Sequence, residues 1–268
     1  RQRRGLVALD VDRLKAYSEW AAARLAHRED PRDVVAFIEH LRQLGADRNQ
    51  PHEYGLPFVM VRPSSAEAEP EPEIAQLVSA IDVSSYQPRD LTEILDGLEP
   101  RPSHVVVRLY QAAELPPQEH SLAQIESARA NGCTVGGYMW LYAGMDPRDQ
   151  VRDVLALAER AQLEIPVLWL DVEPEADGSL PDVLEIRMAI GTCWLAGVRA
   201  GIYSGSWAWP KLGSPTEFAE EGVPLWTADY NGQPTLGVPL YGGWTEVQGH
   251  QYQGSPIDRS VFRGKVTR

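Results

Sequence analysis

The chain contains 268 residues, of which 43% are hydrophobic, and this is enough for one large hydrophobic core with a small additional segment. Its formal net charge of -13 argues against a nucleic-acid partner, because phosphate binding needs clustered Lys and Arg. No apolar run approaches the ~20 residues of a membrane-spanning helix. We therefore expect no nucleic-acid or membrane partner, and a neutral or mixed-charge ligand.

Residues 1–74 differ from the rest of the chain in composition. Residues 6–44 carry apolar side chains at helical spacing, which predicts a small helical N-terminal region. The run "AEAEPEPE" over residues 66–73 alternates Pro and acid, as is typical of an extended linker. We therefore place a domain boundary near residue 74, with a second domain over residues 75–268.

Beyond this boundary, short apolar runs alternate with amphipathic stretches. The runs are "AIDVSSY" from residue 80, "HVVVRLY" from 104, "TVGGYMW" from 134, "IPVLWLDVE" from 165, "RAGIYSG" from 199 and "VPLWTADY" from 223. This alternation predicts an α/β fold with a parallel sheet, either open or closed into a barrel. No glycine-rich nucleotide-binding motif follows any run, which favours the barrel. Residues 241–262 leave no room for helices, so the alternation should break down there.

Several of the apolar runs end in polar side chains. Asp82 follows the first run, and Asp171 and Glu173 follow the fourth. In such barrels the chemistry lies at the C-terminal ends of the strands. Residues two apart on a strand point the same way, ~6–7 Å apart along it. In a partly dry pocket one acid stays ionised while the pKa of the other rises, which is the pairing that cleavage of a glycosidic bond needs.

The Asp171–Glu173 pair alone is weak evidence and has other interpretations. It could bind a metal, cap a helix N-terminus, or mark a solvated exit from the core. The apolar segment Leu168-Trp169-Leu170 before it indicates that the acids emerge from inside the protein. The six His residues are scattered and no GxSxG motif occurs, so we expect neither a metal, nor a cofactor, nor a nucleophilic serine.

Five motifs together resemble glycoside hydrolase family 25, the lysozymes or N-acetylmuramidases of bacteria, phages and some fungi. They are "AIDVSSYQ" at 80–87, "VLWLDVEP" at 167–174, "AGIYSGSWAW" at 200–209, "PLWTADY" at 224–230 and "HQYQGSPIDRSVF" at 250–262. The resemblance implies an irregular TIM-like barrel with eight strands and about five helices. It also implies hydrolysis of the β-1,4 bond between N-acetylmuramic acid and N-acetylglucosamine in peptidoglycan.

The resemblance also implies the site residues. Glu173 matches the family's proton donor, and Asp171, Asp82 and Asp258 match the other acids of its pocket. Aromatic residues at strand ends are expected to line the cleft and stack on sugar rings; they are Tyr138, Tyr203, Trp226, Tyr230 and Tyr252.

Two segments depart from the family's pattern. Arg108 is followed by "LYQAAELPPQEH" instead of a small-residue stretch containing Gly, which predicts that this side of the cleft is rebuilt. The third run has Met139 between Tyr138 and Trp140, where the family commonly has His. Met cannot hydrogen-bond a sugar hydroxyl as His can, which leaves the subsite contacts and the choice of substrate open.

Two functions therefore remain open. The first is an active muramidase acting on peptidoglycan outside the cell or in the cell wall. The second is a non-catalytic glycan-binding or phage virion structural module on the same barrel, and a chitinase-type barrel is a weaker enzymatic alternative. No signal-peptide segment follows Arg1 and there is no initiator Met, so we expect a processed part of a larger phage-borne or secreted protein.

Overall fold

A computed structural model describes residues 77–110 and 118–264, so the predicted helical region and linker over residues 1–74 lie outside the described residues. The described chain forms eight strands: β1 (Val78–Val83), β2 (His104–Tyr110), β3 (Thr134–Trp140), β4 (Val167–Asp171), β5 (Arg199–Gly205), β6 (Leu225–Ala228), β7 (Gly249–Gln253) and β8 (Asp258–Phe262). It also forms five α-helices: α1 (Thr92–Asp96), α2 (Gln118–Ala130), α3 (Pro147–Arg160), α4 (Val183–Leu195) and α5 (Glu217–Glu220). A short 3₁₀-helix covers Trp209–Leu212.

The eight strands close into a single barrel in chain order. Each neighbouring pair from β1 to β7 is parallel, whereas β8 runs antiparallel to both β7 and β1. The predicted irregular TIM-like barrel with eight strands and about five helices is therefore confirmed. The expected loss of alternation over residues 241–262 is also confirmed, since this range contains β7 and β8 but no helix.

The barrel interior is filled by large rings that lie against glycines on neighbouring strands. Trp169 of β4 pairs with Gly201 of β5, and Phe262 of β8 pairs with Gly249 of β7. A Cβ atom added at Gly201 would lie 2.5 Å from the Trp169 ring, and one at Gly249 would lie 2.4 Å from the Phe262 ring. The missing side chains therefore provide the space that the rings occupy.

The helices that cover the barrel begin at strong sequence signals. Asp146 caps α3 by accepting a hydrogen bond from the backbone N–H of Arg148, and Pro147 occupies the first turn. Asp182 and Glu185 form a reciprocal capping box at the start of α4. These caps satisfy backbone donors that the first helical turn leaves free.

The direction of β8 determines which residues share the C-terminal end of the barrel. Asp258 is the first residue of β8 and pairs with Asp82, near the end of β1. Because β8 is antiparallel, its start lies at the same end as the C-termini of the other strands. An acid from the beginning of a strand therefore joins acids from the ends of strands.

Two further properties of the described residues bear on function class. Cys133 and Cys193 are buried free thiols, and burial raises the pKa of Cys193 to about 12. They are therefore poor candidates for nucleophiles. Within residues 77–110 and 118–264, no helix has the length and apolar character needed to cross a membrane.

The close contact between Gly201 and the Trp169 ring predicts how a methyl group added at Gly201 changes stability. We expect Gly201→Ala to lower the free energy of unfolding by about 1–3 kcal/mol, because the Cβ would overlap the buried Trp169 ring. Gly237→Ala is the matched control, because its Cβ would meet only Thr235 Oγ1 at 3.5 Å, and we expect a change within about 0.5 kcal/mol. Chemical denaturation measures both; equal effects would contradict this account of the interior.

Candidate active site

Four acidic side chains meet at the C-terminal end of the barrel. Asp171 is the last residue of β4, Glu173 follows two positions later, and Asp82 and Asp258 lie side by side on β1 and β8. Every pair among the four carboxyl groups interacts electrostatically. The structure therefore brings together all four acids named from the sequence.

Burial gives these four carboxyl groups unusual proton affinities. Desolvation, with repulsion from Asp258, raises the pKa of Glu173 to about 7, and desolvation raises the pKa of Asp258 to about 6. Desolvation followed by a neighbouring carboxylate raises the pKa well above the usual range for both Asp82 and Asp171. The site therefore holds protons that solvent-exposed acids would have released at neutral pH.

A hydrogen-bonded chain fixes the orientation of Asp82. The Tyr203 hydroxyl donates to Gln251 Oε1 at 2.7 Å, and Gln251 Nε2 donates to Asp82 Oδ2 at 2.9 Å. The hydrogen bond from Gln251 lowers the pKa of Asp82, against the larger effect of burial. Sequence reasoning missed Gln251, although its inward position two residues after Gly249 on β7 is the signal that could have found it.

The surroundings of Asp171 and Glu173 resolve two of the other interpretations of this pair. Helix α4 is capped by Asp182, so the pair does not cap it. Asp171 is only 4% exposed, so it is not a solvated exit. Asp171 Oδ1 and Glu173 Oε1 are buried and accept no hydrogen bond from the described residues. These two oxygens therefore have hydrogen-bonding capacity that the described residues do not use. The described residues contain no group of three or more His, Cys, Asp or Glu side chains that could hold a metal ion.

The aromatic residues predicted to stack on sugars separate into two groups. Tyr138, Tyr203 and Tyr252 are buried, whereas Tyr230 is 57% exposed beside the pocket. Trp226 is 1% exposed. The centre of its ring lies 4.5 Å from the centre of the Tyr203 ring and 5.3 Å from the centre of the Phe262 ring. The prediction that Trp226 stacks on a sugar is therefore wrong for this structure: protein atoms cover the ring, which belongs to the barrel core.

Two exposed aromatic residues at the same end of the barrel were not singled out from the sequence. Trp207 follows β5, is 51% exposed and lies over Gly205, where a Cβ would come within 2.4 Å of Nε1. The Lys211 ammonium lies 5.5 Å from the centre of its ring. Tyr86 follows β1 and is also exposed. Their positions just after strand ends are the signal that could have found them.

The two departures from the family pattern differ in their structural context. Met139 is fully buried and alternates with Tyr138, which faces the barrel interior, so Met139 points away from the pocket. The second departure starts at Arg108, but residues 111–117 lie outside the described ranges, and the rebuilt loop stays a prediction.

A closed α/β barrel with four clustered acids at its C-terminal end fits the glycoside hydrolase class, whose chemistry needs paired carboxyl groups. Residues 75–252 match the family described as Lysozyme-like protein 1, and the chain belongs to that family. No curated protein sequence matches the chain significantly.

Solved structures show the same fold. A muramidase from Acremonium alcalophilum is 21% identical, with 71% of this chain and 96% of that chain covered and a TM-score of 0.57. The catalytic domain of endolysin ply40 from Listeria monocytogenes bacteriophage P40 is 22% identical, with 70% and 93% covered and a TM-score of 0.50. The modular autolysin LytC from Streptococcus pneumoniae is 20% identical, with 69% and 46% covered and a TM-score of 0.55. The present chain therefore spans about half of that autolysin. The resemblance to glycoside hydrolase family 25 is confirmed.

The raised pKa values in the pocket predict how stability depends on pH. A carboxyl group whose pKa is higher in the folded state binds more protons there, so its contribution to stability is lost as pH rises through the folded pKa. We expect the free energy of unfolding to fall between about pH 4.5 and pH 8, and to fall less in Asp171→Asn. Denaturation curves at both pH values measure this difference.

The matched control for that prediction is Glu164→Gln, which removes an exposed acid before β4, at the opposite end of the barrel. It should leave the pH dependence close to that of the unmodified protein. A pH dependence of Asp171→Asn as steep as that of the control would contradict the raised pKa of Asp171.

Proposed function

We propose that this protein is a muramidase that hydrolyses the β-1,4 bond between N-acetylmuramic acid and N-acetylglucosamine in peptidoglycan. The observation that carries the proposal is the pairing of buried Asp171 with half-buried Glu173, in which Glu173 has a pKa of about 7. A carboxyl group with this pKa is protonated in a large fraction of molecules at neutral pH and can act as a general acid.

The proposed reaction assigns different roles to the acids. Glu173 protonates the leaving glycosidic oxygen, which needs its carboxyl group in the neutral form. Asp171, Asp82 or Asp258 in the carboxylate form then attacks the anomeric carbon or orients the N-acetyl group of the substrate for that attack. Glu173, as a carboxylate after donating its proton, activates the water that completes hydrolysis.

The comparisons support peptidoglycan as the substrate class. The autolysin LytC was solved with a synthetic peptidoglycan ligand, and two other similar structures are described as a muramidase and an endolysin catalytic domain. By extension, we propose that this protein acts outside the cell or in the cell wall, as part of a larger phage-borne or secreted protein.

A non-catalytic glycan-binding or virion structural module is the second candidate. Four of the five aromatic residues predicted to stack on sugars are buried, which leaves Tyr230 as the open ring of that set. Together with the exposed Trp207 and Tyr86 at the same end of the barrel, Tyr230 could hold a glycan without catalysis. This function predicts peptidoglycan binding without release of products.

The role of Glu173 is tested by Glu173→Gln. We expect the purified protein to release muropeptides that end in reducing N-acetylmuramic acid, and the variant to lose at least about 100-fold of this activity because its amide cannot donate the proton. Mass spectrometry of the digest identifies the reducing end. Glu164→Gln is the matched control and should retain activity.

Each alternative result has a specific meaning. Products that end in reducing N-acetylglucosamine would indicate a different glycosidase. Binding to peptidoglycan without any products, unchanged in Glu173→Gln, would favour the non-catalytic module.

The repulsion between Asp258 and Glu173 predicts a shift in the pH profile. Removing the Asp258 charge lowers the pKa of Glu173, because that charge is the second cause of its rise after burial. We therefore expect the alkaline limb of kcat/KM to move to lower pH in Asp258→Asn, whatever activity remains. A limb that stays in place would show that Glu173 is not the group that loses its proton there.

A further inference from the structure

An open aromatic ring, that of Trp207, stands next to the acidic segment 171–173. The backbone N–H of Val172 donates a hydrogen bond to the Tyr203 carbonyl at 2.9 Å, and the Ser204 hydroxyl donates to the Val172 carbonyl at 2.8 Å. The end of β5 is therefore bonded directly to the acidic segment. Trp207 comes three residues after Ser204 and is 51% exposed, so its ring lies at the rim of the acidic pocket.

Gly205, the last residue of β5, supports one edge of the Trp207 ring. A Cβ atom added at Gly205 would lie 2.4 Å from Trp207 Nε1, 2.7 Å from Cδ1 and 3.1 Å from Cε2. The five-membered part of the indole therefore packs where a side chain of residue 205 would otherwise stand. This contact occupies one edge of the indole, so the exposed surface lies on the rest of the ring, where a sugar can stack.

A lysine stands beside this ring. Lys211 belongs to the 3₁₀-helix after β5, and its ammonium group lies 5.5 Å from the centre of the Trp207 ring. Lys211 is exposed, and none of the ion pairs within residues 77–110 and 118–264 involves it. It is also the one lysine of those two ranges, in a chain whose net charge is -13. A cation placed in this way can bind an anionic group of a ligand that lies on the ring.

The two side chains together fit a sugar that carries a carboxylate. The apolar face of a sugar ring stacks on an indole, and a carboxylate accepts charge-assisted hydrogen bonds from an ammonium group. N-acetylmuramic acid differs from N-acetylglucosamine in its lactyl group, which ends in a carboxylate or is joined to a peptide that carries carboxylates. The acids of the pocket repel such a group whenever they are ionised, whereas Lys211 offers it a favourable contact at the rim.

We propose that Trp207 and Lys211 form a second sugar-binding position outside the acidic pocket, in which the indole stacks on N-acetylmuramic acid and the ammonium group binds a carboxylate that this sugar carries. The inference deepens the proposed muramidase function and rests on it, because it takes peptidoglycan as the substrate. The carboxylate can come from the lactyl group or from the attached peptide, and both present the same chemistry to Lys211. The position therefore favours anionic glycan over neutral chains of N-acetylglucosamine.

The proposal is tested by saccharide binding to the full chain with Glu173→Gln, which removes turnover. Three tetrasaccharides serve as ligands: a tetramer of N-acetylglucosamine, the alternating tetramer of N-acetylglucosamine and N-acetylmuramic acid with free lactyl groups, and the same alternating tetramer with its peptides. We expect calorimetry to show tighter binding of an anionic tetramer than of the neutral one. The anionic tetramer that binds more tightly identifies the source of the carboxylate.

Substitutions in this background separate the two side chains. Lys211→Gln should weaken binding of the favoured anionic tetramer about 2- to 5-fold and leave the neutral tetramer unchanged, and Lys211→Arg should keep the preference. Trp207→Ala should weaken binding of all three tetramers about 3- to 10-fold, because the stacking surface is lost, and Trp207→Phe should weaken it less. Two exposed residues at the opposite end of the barrel provide matched controls that should bind as the background does: Arg199→Gln at the start of β5 and Leu195→Ala at the end of α4.

Several results would overturn the proposal. Equal affinity for neutral and anionic tetramers, or an equal loss for all three in Lys211→Gln, would refute the role of the cation. Unchanged binding in Trp207→Ala, or binding of none of the tetramers, would refute the sugar-binding position itself. Hydrolysis is judged separately, from the products that the unmodified protein releases. The expected binding preference without products would refute only the proposed hydrolysis, whereas products with no effect of either substitution would refute only the second position.

Discussion

The packing of the barrel interior is the constraint on which the chemistry of this protein depends. The rings of Trp169, Trp226 and Phe262 fill the space inside the strands, and glycines at facing positions make room for them. A filled interior closes the pocket from below, so that the carboxyl groups above it are cut off from water on that side. Desolvation is the largest cause of the raised pKa of each of the four acids.

The same desolvation links function to stability. Burying several interacting carboxyl groups lowers the free energy of unfolding whenever they are ionised. The hydrophobic burial of the barrel core must offset this loss. The antiparallel β8 increases the cost, because it places Asp258 next to Asp82. An arrangement that opposes folding at neutral pH yet gathers acids from β1, β4 and β8 is typical of a functional site.

The sequence predicted the barrel, and the strand-end rule alone found Asp82, Asp171 and Glu173, because parallel strands bring their C-termini together. The same rule could not find Asp258, which begins a strand; only the family resemblance did. The rule also failed for Trp226, because aromatic residues within a strand and just after it look alike in sequence. Trp226 lies inside β6, whereas the exposed Tyr230 lies two residues beyond its end.

The pairing of Asp171 with Glu173 acquires its asymmetry from elements that are remote in sequence. Both acids come from one short segment, and their intrinsic pKa values are nearly equal. The pKa of Glu173 is raised by burial and by Asp258 of β8. The pKa of Asp171 is raised by deeper burial and by Glu173, and the Arg108 cation of β2 acts in the opposite direction. Two similar acids of one segment therefore acquire different environments only after the barrel closes, since closure brings the start of β8 to the same end of the barrel as the end of β4.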